Sequence, residues 1–144
     1  MKSAVYFASL RAHSDQESTT VKVQRLFDRA GFSDVVAQGD RTAIKLHFGE
    51  RGNDGYISPV YVRQVVEKVK ACGSQPFLTD TNTLYPGSRS NAVDHITTAI
   101  LHGFDFAVTG APIRDSERAG IVLRSIPFGR CTAHGKIFYG TAKS

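Results

Sequence analysis

Lys45-Leu46-His47-Phe48-Gly49-Glu50-Arg51-Gly52-Asn53-Asp54-Gly55-Tyr56 reads as the end of a strand running into a charged loop punctuated by glycines. Ser58-Pro59 then opens a helix, because serine caps well and proline suits the first helical position. Strand, loop and helix in that order form the unit of an α/β sheet. Gly49, Gly52 and Gly55 leave the backbone room to bend or to approach a ligand. His47, Glu50, Arg51, Asn53, Asp54 and Tyr56 surround them with hydrogen-bonding and titratable groups. The loop is a candidate site, although its residues name no reaction.

The same rhythm extends to both sides of this stretch. Residues 4–8 are a continuous apolar run and predict a strand buried on both faces. Val23, Leu26, Phe27 and Ala30 recur at helical spacing, behind a cap at Ser18 or Thr19 and before a stop at Gly31. Residues 41–48 predict a strand, with Ile44, Leu46 and Phe48 facing one way and Ala43, Lys45 and His47 the other. Val62, Val65, Val66 and Val69 form the apolar stripe of the next helix, which Gly73 ends. Residues 76–79 predict a strand closing on Asp80-Thr81-Asn82-Thr83. A third helix starts from Ser88 or Ser90, with Ala92, Val93, Ile96, Ala99 and Ile100 as its apolar face and Gly103 as its stop. Residues 104–108 predict a further strand, broken at Thr109-Gly110-Ala111-Pro112. The alternation predicts an α/β fold: a mostly parallel, Rossmann-like three-layer sheet with helices on both faces. Residues 121–126 and 136–139 suggest an antiparallel C-terminal pair at an edge. The domain reading is an α/β domain over residues 1–112 and a basic tail over 113–144.

Composition bounds the rest. A chain of 144 residues with 41% hydrophobic and 22% charged residues suits one globular domain. No apolar run reaches membrane-spanning length, and the reading is a cytoplasmic protein with no membrane partner. Residues 111–144 hold six Lys and Arg against two Asp and Glu, so the net charge of +5 lies mostly in the tail. A basic tail can attract nucleic acid, with steep salt dependence. Its charges are spread out and form no recognisable nucleic-acid module, so a solvated surface is the better reading. Cys72 and Cys131 form no Cys-x-x-Cys pair and cannot by themselves hold an iron–sulfur cluster or a four-cysteine zinc ion.

In a parallel sheet the strand-to-helix loops gather at the carboxyl edge, where ligands bind. That places His47, Glu50, Arg51, Gly52, Asn53, Tyr56, Asp80 and Asn82 in one candidate ligand site, joined by the Thr109-to-Pro112 loop. Three chemistries compete there. Loop amides, Arg51 and the helix start after Ser58 suit a small anion. His47 and Asp80, with Glu50, suit a divalent metal. His47 with an orienting carboxylate suits acid–base work, but no nucleophile motif accompanies it and no residue is assigned a catalytic role. Plainer readings stand beside these. His47 can cap the strand, Asp80-Thr81-Asn82-Thr83 can be only a turn, and Lys45 can reach water from a sheet face. His95 and His102 suit packing or surface positions on a helix.

The stretches 45–53, 59–63, 77–85, 87–89, 91–95 and 110–112 together resemble the domain-of-unknown-function 362 family, whose members are often labelled iron–sulfur centre proteins. The resemblance runs from the N-terminus to about Pro112 and implies an α/β domain. In many relatives a cysteine-rich, ferredoxin-like segment follows and carries iron–sulfur clusters. Those cysteines are absent here, and the residues beyond Pro112 do not resemble the family domain, which is longer than this chain. The expectation is a truncated version of that domain, not an enzyme by itself, which binds a small anion or metal. A sheet cut short exposes an edge and an apolar face, which predicts a homo-oligomer. The alternative is a structural or interaction module with a vestigial site.

Overall fold

The computed structural model describes residues 4–115 and the strand Tyr139–Thr141. The elements are helix α1 (Thr19–Arg29), strand β1 (Arg41–Lys45), helix α2 (Pro59–Ala71), strand β2 (Gln75–Thr79), helix α3 (Ala92–Leu101), short helix α4 (Phe106–Thr109) and strand β3 (Tyr139–Thr141). Two 3-10 turns, Asp15–Glu17 and Phe32–Val35, flank α1. The chain is therefore α/β. β1 pairs in parallel with β2, from Arg41 opposite Gln75 to Lys45 opposite Thr79. β3 lies antiparallel on the other edge of β1. Residues 121–126 of the expected C-terminal pair, and most of the basic tail, lie outside the described residues.

The central crossover forms as its sequence dictates. Pro59 begins α2 behind Ser58, and Val62, Val66 and Val69 are buried along one face. Valine is a poor helix former, so this burial stabilises α2 where propensity does not. The core joins these valines to Phe27 of α1, Ile44 of β1, Leu78 of β2, Phe48, Ala99 and Phe104. The Phe48 and Phe104 rings meet edge to face at 5.1 Å.

Three expectations need correction. Residues 4–8 form no strand, and Val5 and Phe7 are each 88% exposed. Both edges of β1 are taken by β2 and β3, and Ile113 pairs with Leu78 of β2, so these positions are closed to the run. Residues 104–108 are not a strand either. The Asp105 carboxylate accepts the Val108 N–H at 2.9 Å, capping α4, which ends at Gly110 in the left-handed region. The next parallel position comes instead at Ile113. The Leu78 N–H donates to the Pro112 carbonyl, and the Arg114 N–H donates to the Leu78 carbonyl, both at 2.8 Å. Pro112 breaks the sequence pattern, yet its missing N–H leaves these bonds to Leu78 intact.

The third correction concerns α3. It starts behind Asn91, whose side chain accepts the Asp94 N–H, rather than behind Ser88 or Ser90. Its buried positions are His95, Thr98 and Ala99. Val93, expected on the apolar face, is 75% exposed, and Ile100 also points outward. A polar network at the sheet edge draws in His95 and Thr98 and turns the helix away from the face that hydrophobicity alone selects.

Candidate functional site

The parallel register brings Lys45 level with Thr79, so the chain leaves β1 and β2 at the same edge. The loops after the two strands face each other there, and the Leu46 N–H donates to the Thr79 carbonyl at 3.1 Å. Asp80, one residue past β2, is 3% exposed. One carboxylate oxygen accepts from Lys45 Nζ at 2.8 Å and the other from Arg89 Nη2 at 3.1 Å. Arg89 also places Nη1 2.5 Å from His47 Nε2 and 3.7 Å from Glu50 Oε1. His47 and Asp80, 33 positions apart in the chain, thus flank one guanidinium.

Arg89 is the centre of the cluster. It is 5% exposed, and its Nε has no hydrogen-bond partner among the described residues. Its contact with His47 is also over-subscribed. The Gly49 N–H donates to His47 Nδ1 at 2.8 Å, so both ring nitrogens face donors. A neutral imidazole keeps a proton on one nitrogen and has a single lone pair to offer. One of the two donors therefore lacks its acceptor.

Glu50 is held by Ser88 Oγ at 2.7 Å and by the Tyr85 hydroxyl at 3.3 Å. The Ser88 bond, with Tyr85 and Arg89, holds the Glu50 carboxyl below the usual range for the residue. Burial lowers His47, and the nearby Arg89 charge adds to that, so the ring favours its neutral form. Burial likewise lowers His95, against the pull of Asp80. His95 Nδ1 lies 3.0 Å from the Asn82 amide oxygen, which can only accept, so Nδ1 carries the proton. His95 Nε2 then faces Asp80 at 3.8 Å, and Asp115 lies 3.5 Å from Nδ1.

Of the expected site residues, the structure brings together His47, Glu50, Asp80 and Asn82. Arg51 joins this region only through its backbone N–H, which donates to Ser88 Oγ at 3.1 Å, and its side chain is exposed. The guanidinium in the cluster belongs to Arg89. Asn53 closes a local turn by accepting the Gly55 N–H, and Gly52 sits in open space. Tyr56 stacks on His102 at 4.6 Å, and the His102 ring bonds the Phe48 carbonyl. That stack explains Gly49: at φ +86°, an added Cβ would meet Tyr56 at 2.5 Å and His102 at 2.9 Å.

Sequence reasoning missed Arg89, His95, Ser88 and Asp115, and read Lys45 as reaching water. The third loop at the rim is also different. Thr109 to Pro112 lies before the Ile113 pairing, so the residue delivered to this edge is Asp115. The signal for Arg89 was its place in Gly87-Ser88-Arg89, between a turn and a helix start. Nothing in spacing alone singled it out.

Among the described residues no group of three His, Cys, Asp or Glu side chains is placed to hold a metal ion. The Arg89 cation stands between His47 and Asp80, where a shared metal would have to sit. Cys72 packs against the core beside α2 and Cys131 lies outside the described residues, so two cysteines fall short of the thiolates of a cluster. No described helix is long and apolar enough to cross a membrane.

The fold and the edge cluster define an α/β domain with a buried arginine–carboxylate centre where parallel strands end. The chain belongs to the family described as Domain of unknown function (DUF362), whose model matches residues 42–142, from β1 through β3. The match starts later than the expected resemblance and continues past Pro112. No curated protein and no solved structure matches the chain.

Proposed function

We propose that this domain binds a small anionic ligand at the carboxyl edge of its sheet, in a cytoplasmic, Rossmann-like three-layer unit that is not an enzyme by itself. Arg89 carries the reading. A nearly buried guanidinium with Nε unpartnered, and with an imidazole nitrogen as one neighbour, has more donors than acceptors. A carboxylate or phosphate is the group that matches such a fork. Lys45 stands beside it and uses one of its three donors on Asp80. An anion suits the cluster better than a metal, since Arg89 already supplies the cation between His47 and Asp80.

Calorimetry on the full chain with inorganic phosphate, acetate and nucleotides tests the proposal, with zinc and manganese as the competing probes. At least one anion is expected to bind, and Arg89→Lys and Lys45→Met should each weaken it about tenfold or more, as the loss of a charge-assisted bond predicts. Absence of binding, or binding indifferent to both variants, removes the proposal.

A second reading has its own observation. Asp80 is engaged by Lys45 and Arg89, and Glu50 by Ser88 and Tyr85, so much of the cluster satisfies itself. Such a cluster can serve as a structural centre in an interaction module. We also propose self-association, supported by Val93, Ile100 and Leu101 standing exposed on α3.

A further inference from the structure

A cavity of about 620 Å³ lies between α1, α2 and β1, within the range of roughly 300–1,000 Å³ usual for small-ligand sites. Its wall is mostly apolar, with Val23, Leu26, Phe27, Ile44, Leu46 and Val62 among the lining residues. Residues 8–10 form one side, and Lys22 fastens them by donating to the Ser9 carbonyl at 2.8 Å and to the Arg11 carbonyl. The Lys22 ammonium is thereby committed to backbone oxygens. The wall also includes Lys45 and His47, the residues that form the edge cluster with Asp80 and Arg89. Apolar cavity and ion cluster therefore share a boundary.

We propose that this cavity takes the apolar body of an amphiphilic anion of the medium-chain carboxylate class, with its head at the Lys45–His47 boundary. The inference rests on the anion reading above and specifies its ligand. Neither half of the arrangement accounts for the other. A free phosphate would use the cluster and leave the cavity idle, and an uncharged apolar molecule would make no use of Lys45 in the cavity wall.

The test is calorimetry on the full chain with acetate, hexanoate, octanoate and decanoate, each below its micelle concentration, and with decanol. Affinity should rise with chain length by up to about fourfold per methylene, as transfer of a CH2 out of water predicts. Decanol should bind more weakly than decanoate. Val23→Phe, which fills the cavity from α1, should abolish the chain-length dependence and leave acetate binding unchanged. If that variant does not fold, the wild-type series decides alone. Acetate or phosphate binding with no gain from longer chains overturns this inference and spares the anion reading. Decanol binding as tightly as decanoate also overturns it. No binding by any probe overturns both.

Discussion

At the residue scale, Asp80 and Arg89 decide the character of the edge. Both are buried and paired at 3.1 Å, and removing Asp80 takes from the Arg89 guanidinium its buried carboxylate partner, with Glu50 next at 3.7 Å. Asp80→Ala should lower stability by about 3–5 kcal/mol in chemical denaturation, the usual effect of orphaning a buried charge. Adding Arg89→Met should recover part of that loss, because both desolvated charges are then gone. A double variant as unstable as the sum of the singles would contradict this account. Asp80→Ala is accordingly a poor probe of ligand binding, and Lys45→Met, at a side chain 32% exposed, is a better one.

His95 supplies a pH signature at the same scale. Burial holds its folded value below the ordinary one near 6.5. The unfolded chain therefore takes up the proton first as pH falls. Stability is fully present above about 6.5 and declines towards the lowered folded value, with a slope of at most about 1.4 kcal/mol per pH unit for the one imidazole. Denaturation series between pH 8 and 5, paired with NMR titration of the ring, check both the slope and its source. A His95 ring titrating above 6.5 would contradict the assignment.

At the element scale, α3 and α4 show how local chemistry overrode hydrophobic pattern. Asn91 caps α3, accepting the Asp94 N–H at 2.9 Å, and Asp105 caps α4. Asn91→Ala should reduce stability by about 1 kcal/mol, measured as a shift in denaturation midpoint. The expected apolar face of α3, Ala92, Val93, Ile96, Ala99 and Ile100, holds at Ala99, but burial adds His95 and Thr98 and leaves Val93 and Ile100 exposed. His95 packs edge-on against Phe48 at 5.6 Å, and Thr98 bonds the Ser88 carbonyl. Periodicity cannot detect such partners, because they come from other loops. The glycine stops were legible: Gly31, Gly73 and Gly103 all adopt positive φ after their helices.

At the scale of the whole molecule, the outward-facing apolar residues on α3, with Phe106 of α4 and Val5 and Phe7 near the N-terminus, predict association. Sedimentation velocity should show a dimer or larger species at high concentration, and Val93→Glu with Ile100→Glu should return it to monomer. A wild-type chain that stays monomeric there would remove the proposal.

Helix α2, the strand before it and the glycine that ends it were determined by the sequence itself. Each rests on local signals: a proline behind a serine, alternating apolar residues, and a glycine after a stripe. Tertiary structure alone decided that Arg89 stands between the His47 and Asp80 loops, that Ile113 rather than residues 104–108 continues the sheet, and that His95 turns inward. The physical reason is common to all three: a polar side chain is buried only where distant partners supply its hydrogen bonds, and those partners become neighbours only once the strands align.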